Sequence, residues 1–119
     1  YNYAVFRKSG IGINISITAK NVLNLIKFTN RSGNHLNCIR FSLGESRKHI
    51  NAKIEVCLTL LKEKHKFMTE AIFLNGTRCD VLDITEGVVY EILHTETEEM
   101  LEKKIKKYPT ELEVISVKC

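Results

Sequence analysis

Two acids stand where acids are costly. Asp80 lies between Cys79 and Val81, and Glu91 between Tyr90 and Ile92, in stretches that otherwise read as apolar strand. Burying a carboxylate costs several kcal/mol unless it is paired, hydrogen-bonded or bound to a metal. On adjacent strands of a meander the two would lie side by side, and a divalent cation would relieve their repulsion. Glu55, beside the apolar stripe of the preceding helix, and Glu70, on the first strand, would supply further oxygens. Oxygen-only ligation favours Mg²⁺ or Mn²⁺ over zinc. Each acid also has a plainer reading: Asp80 as a turn or salt-bridge acid, Glu91 as a paired strand acid, Glu55 as a solvated helix residue. Glu70 then becomes a cross-strand partner of Arg78.

Other chemistry finds little support. The cysteines at 38, 57, 79 and 119 and the histidines at 35, 49, 65 and 94 make no C-x-x-C or H-x₃₋₅-H spacing, so no zinc site is expected. No G-x-S-x-G, phosphate-cradling glycine loop or H-E-x-x-H is present. Cys57 and Cys79 read as small buried hydrophobes, and a reducing, cytoplasmic setting is expected. His49 and His65 flank a helix and read as surface residues.

The elements that must position the acids follow from periodicity. Ser46 caps a predicted helix over 47–65, with Ile50, Ile54, Cys57, Leu58 and Leu61 as its apolar stripe. Strands are predicted over 67–74 and 77–84, joined by Asn75-Gly76, a strong hairpin signal. A Glu86-Gly87 turn leads to a third strand over 88–94. A capping box from Thr95 to Glu98 opens a helix with Met100, Leu101 and Ile105 inside, ended by Tyr108-Pro109. A last strand covers 111–117. Before residue 46 the alternation over 11–18 predicts a strand, 19–28 a short helix, 29–37 a loop and 38–43 a further strand. The chain thus divides into a basic N-terminal extension, 1–45, packed on or swapped with the core, and a core at 46–119.

Of 119 residues, 44% are apolar and 27% charged, which excludes a disordered polymer. No apolar run is long enough to span a bilayer, and no signal peptide is expected. The net charge of +4 is uneven: residues 1–45 hold six Lys/Arg and one acid, the remainder twelve Lys/Arg and thirteen acids. A basic segment beside a near-neutral body suits a polyanion partner.

The order helix, three strands, helix, strand, with Glu55, Gly76-Thr-Arg-Cys-Asp80-Val and Tyr90-Glu91-Ile-Leu93, resembles the PD-(D/E)XK nuclease superfamily. The resemblance covers roughly residues 46–117. It implies an α/β (α+β) fold of restriction-endonuclease type: an αβββαβ core with a mixed central sheet flanked by helices, here with an N-terminal strand/helix extension. It implies that Asp80, Glu91 and Glu55 hold Mg²⁺ or Mn²⁺. The family's lysine, two residues after the third-strand acid, is replaced by Leu93. Lys103 or Lys53 would then supply the basic group; Lys103 is the candidate taken as catalytic with Asp80 and Glu91. Arg78, Lys48, Arg47 and Arg40 are the candidate nucleic-acid contacts, and the Lys103-Lys104-Ile-Lys106-Lys107 run is a further one.

The expected function is therefore a metal-dependent DNA endonuclease, acting on branched or otherwise structured DNA as a homodimer, with no organic cofactor and no membrane role. The alternative within the same fold is a catalytically inactive protein that binds nucleic acid or another protein, with Leu93 marking the lost chemistry. A small α/β interaction module without a nucleic-acid role is the third reading.

Overall fold

The computed structural model describes residues 2–7, 18–27 and 36–119. Within them the chain forms β1 (Asn2–Arg7), α1 (Ala19–Leu23), α2 (Arg47–Lys62), β2 (Phe67–Thr69), β3 (Val81–Asp83), β4 (Val88–Leu93), α3 (Glu98–Ile105) and β5 (Glu113–Lys118). The strands make one mixed sheet in the order β1-β5-β4-β3-β2. β2, β3 and β4 form an antiparallel meander, β5 runs parallel to β4, and β1 closes antiparallel on β5. A parallel neighbour needs a crossover, and α3 supplies it. The result is an α+β protein with a five-stranded sheet and three helices.

Strand alternation divides the core in two. Ile92 packs with Ala52, Val56 and Leu60 of α2, whereas Val89 and Leu93 pack with Leu101 and Ile105 of α3 and with Val22 and Ile26. Glu91, between Ile92 and Tyr90, therefore belongs to the α3 face.

Ser46 caps α2 as expected, its side chain accepting from His49 N–H. The buried stripe differs from the predicted one. Ala52, Lys53, Val56, Cys57 and Leu60 face inward, while Leu58 and Leu61 stay about half exposed. The physical reason is Lys53: its ammonium finds acceptors beneath the helix, so α2 turns that side to the sheet. α3 begins two residues later than the Thr95 box suggests. Thr97 is the cap, accepting from Met100 N–H, and Glu98 and Glu99 occupy the positive first turn. Met100, expected inside, is exposed; Leu101 and Ile105 carry the packing.

The predicted first two core strands are much shorter as regular structure. β2 stops at Thr69 because Glu70 takes φ +53°, which breaks the ladder. At the hairpin tip only Gly76 uses positive φ, at +87°; the turn closes by Gly76 N–H to Phe73 O, and Asn75 Oδ1 accepts from Thr77 N–H. Residues 38–43 do not form the expected strand. They run beside β2 through side chains: Arg40 N–H donates to Thr69 Oγ1, whose hydroxyl donates to Cys38 O.

β1 was not foreseen. Its Arg7 reaches the end of α3 and donates to the carbonyls of Ile105, Tyr108, Pro109 and Leu112. A helix end leaves such carbonyls without partners, and the guanidinium satisfies them together. The strand predicted over 11–18 lies outside the described residues up to 17, and Thr18 caps α1 instead. The predicted loop over 29–37 is likewise undescribed through residue 35. No helix among the described residues is long and apolar enough to cross a membrane.

Candidate functional site

The ladder between β3 and β4 pairs Val81 with Tyr90 and goes no further. The next positions in register are Asp80 and Glu91. Here the backbone of Asp80 is drawn toward β2, since its carbonyl accepts from Glu70 N–H. Side chains complete the junction: Asp80 N–H donates to Glu91 Oε1 at 3.2 Å, and Ile92 N–H donates to Asp80 Oδ2 at 2.8 Å. The two acids are thus brought to one place, each carboxylate holding the other's strand.

Glu91 is 2% exposed. Tyr108, buried just after α3, donates its hydroxyl to Glu91 Oε1, and Lys104 Nζ donates to Oε2 at 3.0 Å. Burial and the nearby Asp80 charge push the Glu91 carboxyl up to about 7, against the opposing pull of Lys104 and Tyr108. Asp80 moves the other way. Burial would raise it, but His49 and the Ile92 N–H hold it below the usual carboxylate range.

The second half of the site comes from the start of α2. Glu45 precedes the Ser46 cap, and His49 and Lys53 follow it at intervals of four on one side of the helix. Glu45 Oε2 lies 2.8 Å from His49 Nδ1, and Glu45 Oε1 accepts from Lys53 Nζ at 2.8 Å. Lys53 is fully buried, donates also to Arg40 O, and lies 3.9 Å from Glu70 Oε1. Ser42 ties the same acids together, its N–H donating to Glu45 and its hydroxyl to Glu70. His49 Nε2 stands 3.6 Å from Asp80 Oδ2, an ion pair rather than a hydrogen bond at that length. Contact with Asp80, then Glu45, raises the His49 imidazole to about 9 despite its burial.

These groups surround an open pocket of about 810 Å³. Ser42, Glu45, His49, Glu70 and Asp80 line it, together with Arg78, Lys104 and Lys107.

The expected site residues are distributed unevenly. Asp80 and Glu91 meet. Glu55 does not join them: it is exposed, about 200° around α2 from Lys53 at 3.6 residues per turn. The acid this region contributes is Glu45. Lys103 is exposed, and the ammonium beside Glu91 belongs to the next residue, Lys104. Leu93 shares the Glu91 face, as alternation requires, and is buried in the α3 core. Arg78 lines the pocket, and Arg40 lines a smaller one with Glu70, Ile72 and Arg78. Arg47 and Lys48 are exposed on the first turn of α2 and do not line the large pocket. Glu45, His49 and Tyr108 went unread as site residues. The four-residue spacing of Glu45, His49 and Lys53 was the available signal for the first two.

A comparison with family models, curated proteins and solved structures returns no significant match.

The donor set suits the expected divalent ion only in part. Among the described residues no group of three His, Cys, Asp or Glu side chains is arranged to hold a metal. Glu91 is a poor ligand as placed, since Tyr108, Lys104 and Asp80 N–H take both its oxygens. Asp80 and Glu70 fit better. Among the described residues, Asp80 Oδ1 and Glu70 Oε2 accept no hydrogen bond, and both residues line the pocket. Mg²⁺ commonly uses one or two carboxylates, with water and substrate phosphate completing its shell.

Proposed function

We propose that the Asp80 pocket is the active site of a metal-dependent endonuclease of restriction-endonuclease-like fold, hydrolysing DNA phosphodiester bonds. The observation that carries this reading is the Asp80–Glu91 junction: two acids brought together where β3 and β4 part, with Lys104 on Glu91 and His49 beside Asp80, at an open pocket. Asp80 and Glu70 would hold Mg²⁺ or Mn²⁺, which supplies a bound water of lowered pKa and a counter-charge for the phosphate. The chain's own groups do the rest. His49 and Lys53 keep Glu45 and Asp80 charged and fixed. Tyr108 and Lys104 hold Glu91, whose carboxylate in turn fixes the Asp80 backbone. Lys104 donates to Glu91 Oε2, so the site keeps an ammonium beside this acid although Leu93 stands two residues after it. A cytoplasmic protein is part of this reading, supported by the free thiols of Cys38, Cys57, Cys79 and Cys119. So is a homodimer, supported by the half-exposed Tyr3 and Val5 on edge strand β1.

Cleavage of plasmid and branched DNA with Mg²⁺ or Mn²⁺ tests it. Wild type should cut and Asp80→Ala should not. Failure of wild type to cut any of these substrates with either ion refutes the hydrolytic role.

The saturation of Glu91 by Tyr108 and Lys104 favours a second reading, a nuclease-like fold that binds nucleic acid without cutting. Calorimetry separates the two. A hydrolytic site takes up Mn²⁺ and loses it in Asp80→Ala; a binding protein shows no uptake in either.

A further inference from the structure

We propose that a nucleic-acid backbone crosses the mouth of the Asp80 pocket on Arg78 and Lys107, with the first turn of α2 off its path. The inference rests on the phosphodiester reading above and assigns the contact surface that reading leaves open.

The pocket's charges sort into two kinds. The acids that line it each stand near a cation: Glu45 has Lys53 and His49, Glu70 has Lys53, and Asp80 has His49. Arg78 and Lys107 line the same pocket, are exposed, and make no ion pair among the described residues. No acid among the described residues takes up their positive charge.

The two are also held in fixed relation. Arg78 follows the hairpin tip and Lys107 follows α3. Asn75 Nδ2 donates to the Lys107 carbonyl at 2.5 Å, and the Tyr108 hydroxyl lies 3.2 Å from the Arg78 carbonyl. These bridges join the hairpin to the end of α3, so both cations stand on one braced wall. A guanidinium fork suits phosphate oxygens, and an ammonium supplies a point charge beside it. A ligand with regularly spaced anions meets both at once, as a nucleic-acid backbone does. Arg47 and Lys48 carry the same formal charge yet stand outside the pocket lining, where a strand crossing its mouth gains nothing from them.

The test is fluorescence anisotropy of a short labelled DNA duplex over a salt series, in EDTA so that nothing is cut. Each phosphate contact contributes about 0.9 to the slope of log affinity against log salt. The double variant Arg78→Ala/Lys107→Ala should lower that slope by nearly 2. Arg47→Ala/Lys48→Ala should leave it unchanged. If the alanine pair melts early, Arg78→Gln/Lys107→Gln should give the same reduction. An unaltered slope in the folded pocket variant overturns the proposal, as does an equal reduction in the α2 variant or binding indifferent to salt. Mononucleotide binding as tight as that of the duplex also overturns it, because it indicates a small phosphate ligand. Loss of the path with cleavage intact removes only this inference. A lack of cleavage with the slope effect intact removes only the hydrolytic role.

Discussion

His49 makes a sharp demand on the pH dependence of stability. Its imidazole lies between Glu45 and Asp80 and moves from its ordinary 6.5 to about 9 in the folded chain. Between these values the folded state holds a proton that the unfolded state has released. Stability therefore falls as pH rises through that window; the contribution is full below 6.5 and gone above 9. At about 1.4 kcal/mol per pH unit, the distance from 6.5 to about 9 is worth roughly 3 kcal/mol. The side chain is only 17% exposed, so solvent screening takes little of this away. The interaction that raises His49 also lowers Asp80, so its energy is counted once for the pair. Glu91 adds an earlier limb in the same direction: an acid raised from 4.5 to about 7 favours folding below 4.5 and loses that contribution as pH climbs through 7. Urea denaturation from pH 5 to 10 measures both. His49→Gln should lose roughly 3 kcal/mol near pH 6, converge with wild type near pH 10, and keep the Glu91 limb below pH 7. His65, raised chiefly by Asp83, moves in the same direction, so His65→Gln is the control. A His49→Gln curve that runs parallel to wild type between pH 7 and 9 refutes the assignment.

Lys53→Ala should cost about 3–5 kcal/mol in urea unfolding, because it leaves the Glu45 carboxylate and the Arg40 carbonyl without their buried ammonium. Arg7→Ala removes the donors to four carbonyls past α3 and should cost about 2–4 kcal/mol, read by thermal melting. Lys104→Ala should raise the Glu91 carboxyl further above its ordinary range in a carbon-13 NMR titration, while Lys103→Ala leaves it in place. Gly76→Ala should cost only about 1 kcal/mol, since nothing lies within 4 Å of an added Cβ and the penalty comes from φ +87° alone.

The acids Asp80 and Glu91 were legible because each interrupts an apolar strand, and such an interruption needs a partner. The order of elements from α2 to β5 was legible for a similar reason: turn residues and helix caps punctuate it. The orientation of α2 was not. Ile50, Ile54, Leu58 and Leu61 make as good a stripe as the one that is buried. The buried side carries Lys53 among Ala52, Val56, Cys57 and Leu60, with its desolvation offset by Glu45, Glu70 and the Arg40 carbonyl, and no periodicity count includes those contacts. Lys104 rather than Lys103 meets Glu91 for a comparable reason. One residue is a 100° rotation, and a cap displaced from Thr95 to Thr97 leaves too little certainty in sequence to resolve it. β1 escaped notice because its pairing and its Arg7 contacts join residues about a hundred positions apart.

The charge arrangement explains how such a cluster of acids stays folded. Four carboxylates, from Glu45, Glu70, Asp80 and Glu91, face three cations, His49, Lys53 and Lys104. With His49 protonated and Glu91 ionised, the cluster carries one net negative charge; with Glu91 protonated it is neutral. Neither state leaves a large uncompensated charge buried, which is the condition a low-dielectric interior imposes. Protein donors and cations meet Asp80 Oδ2 and Glu70 Oε1, while among the described residues Asp80 Oδ1 and Glu70 Oε2 accept no hydrogen bond. On the proposed reading a hard divalent ion would meet carboxylates already held by protein donors, and substrate phosphate would offset its surplus charge. Replacing the lysine expected near Glu91 by Leu93 does not empty this arrangement, because α3 reaches the same carboxylate through Lys104. On the proposed reading Leu93 alone does not count against catalysis, and uptake of Mn²⁺ by the pocket decides it.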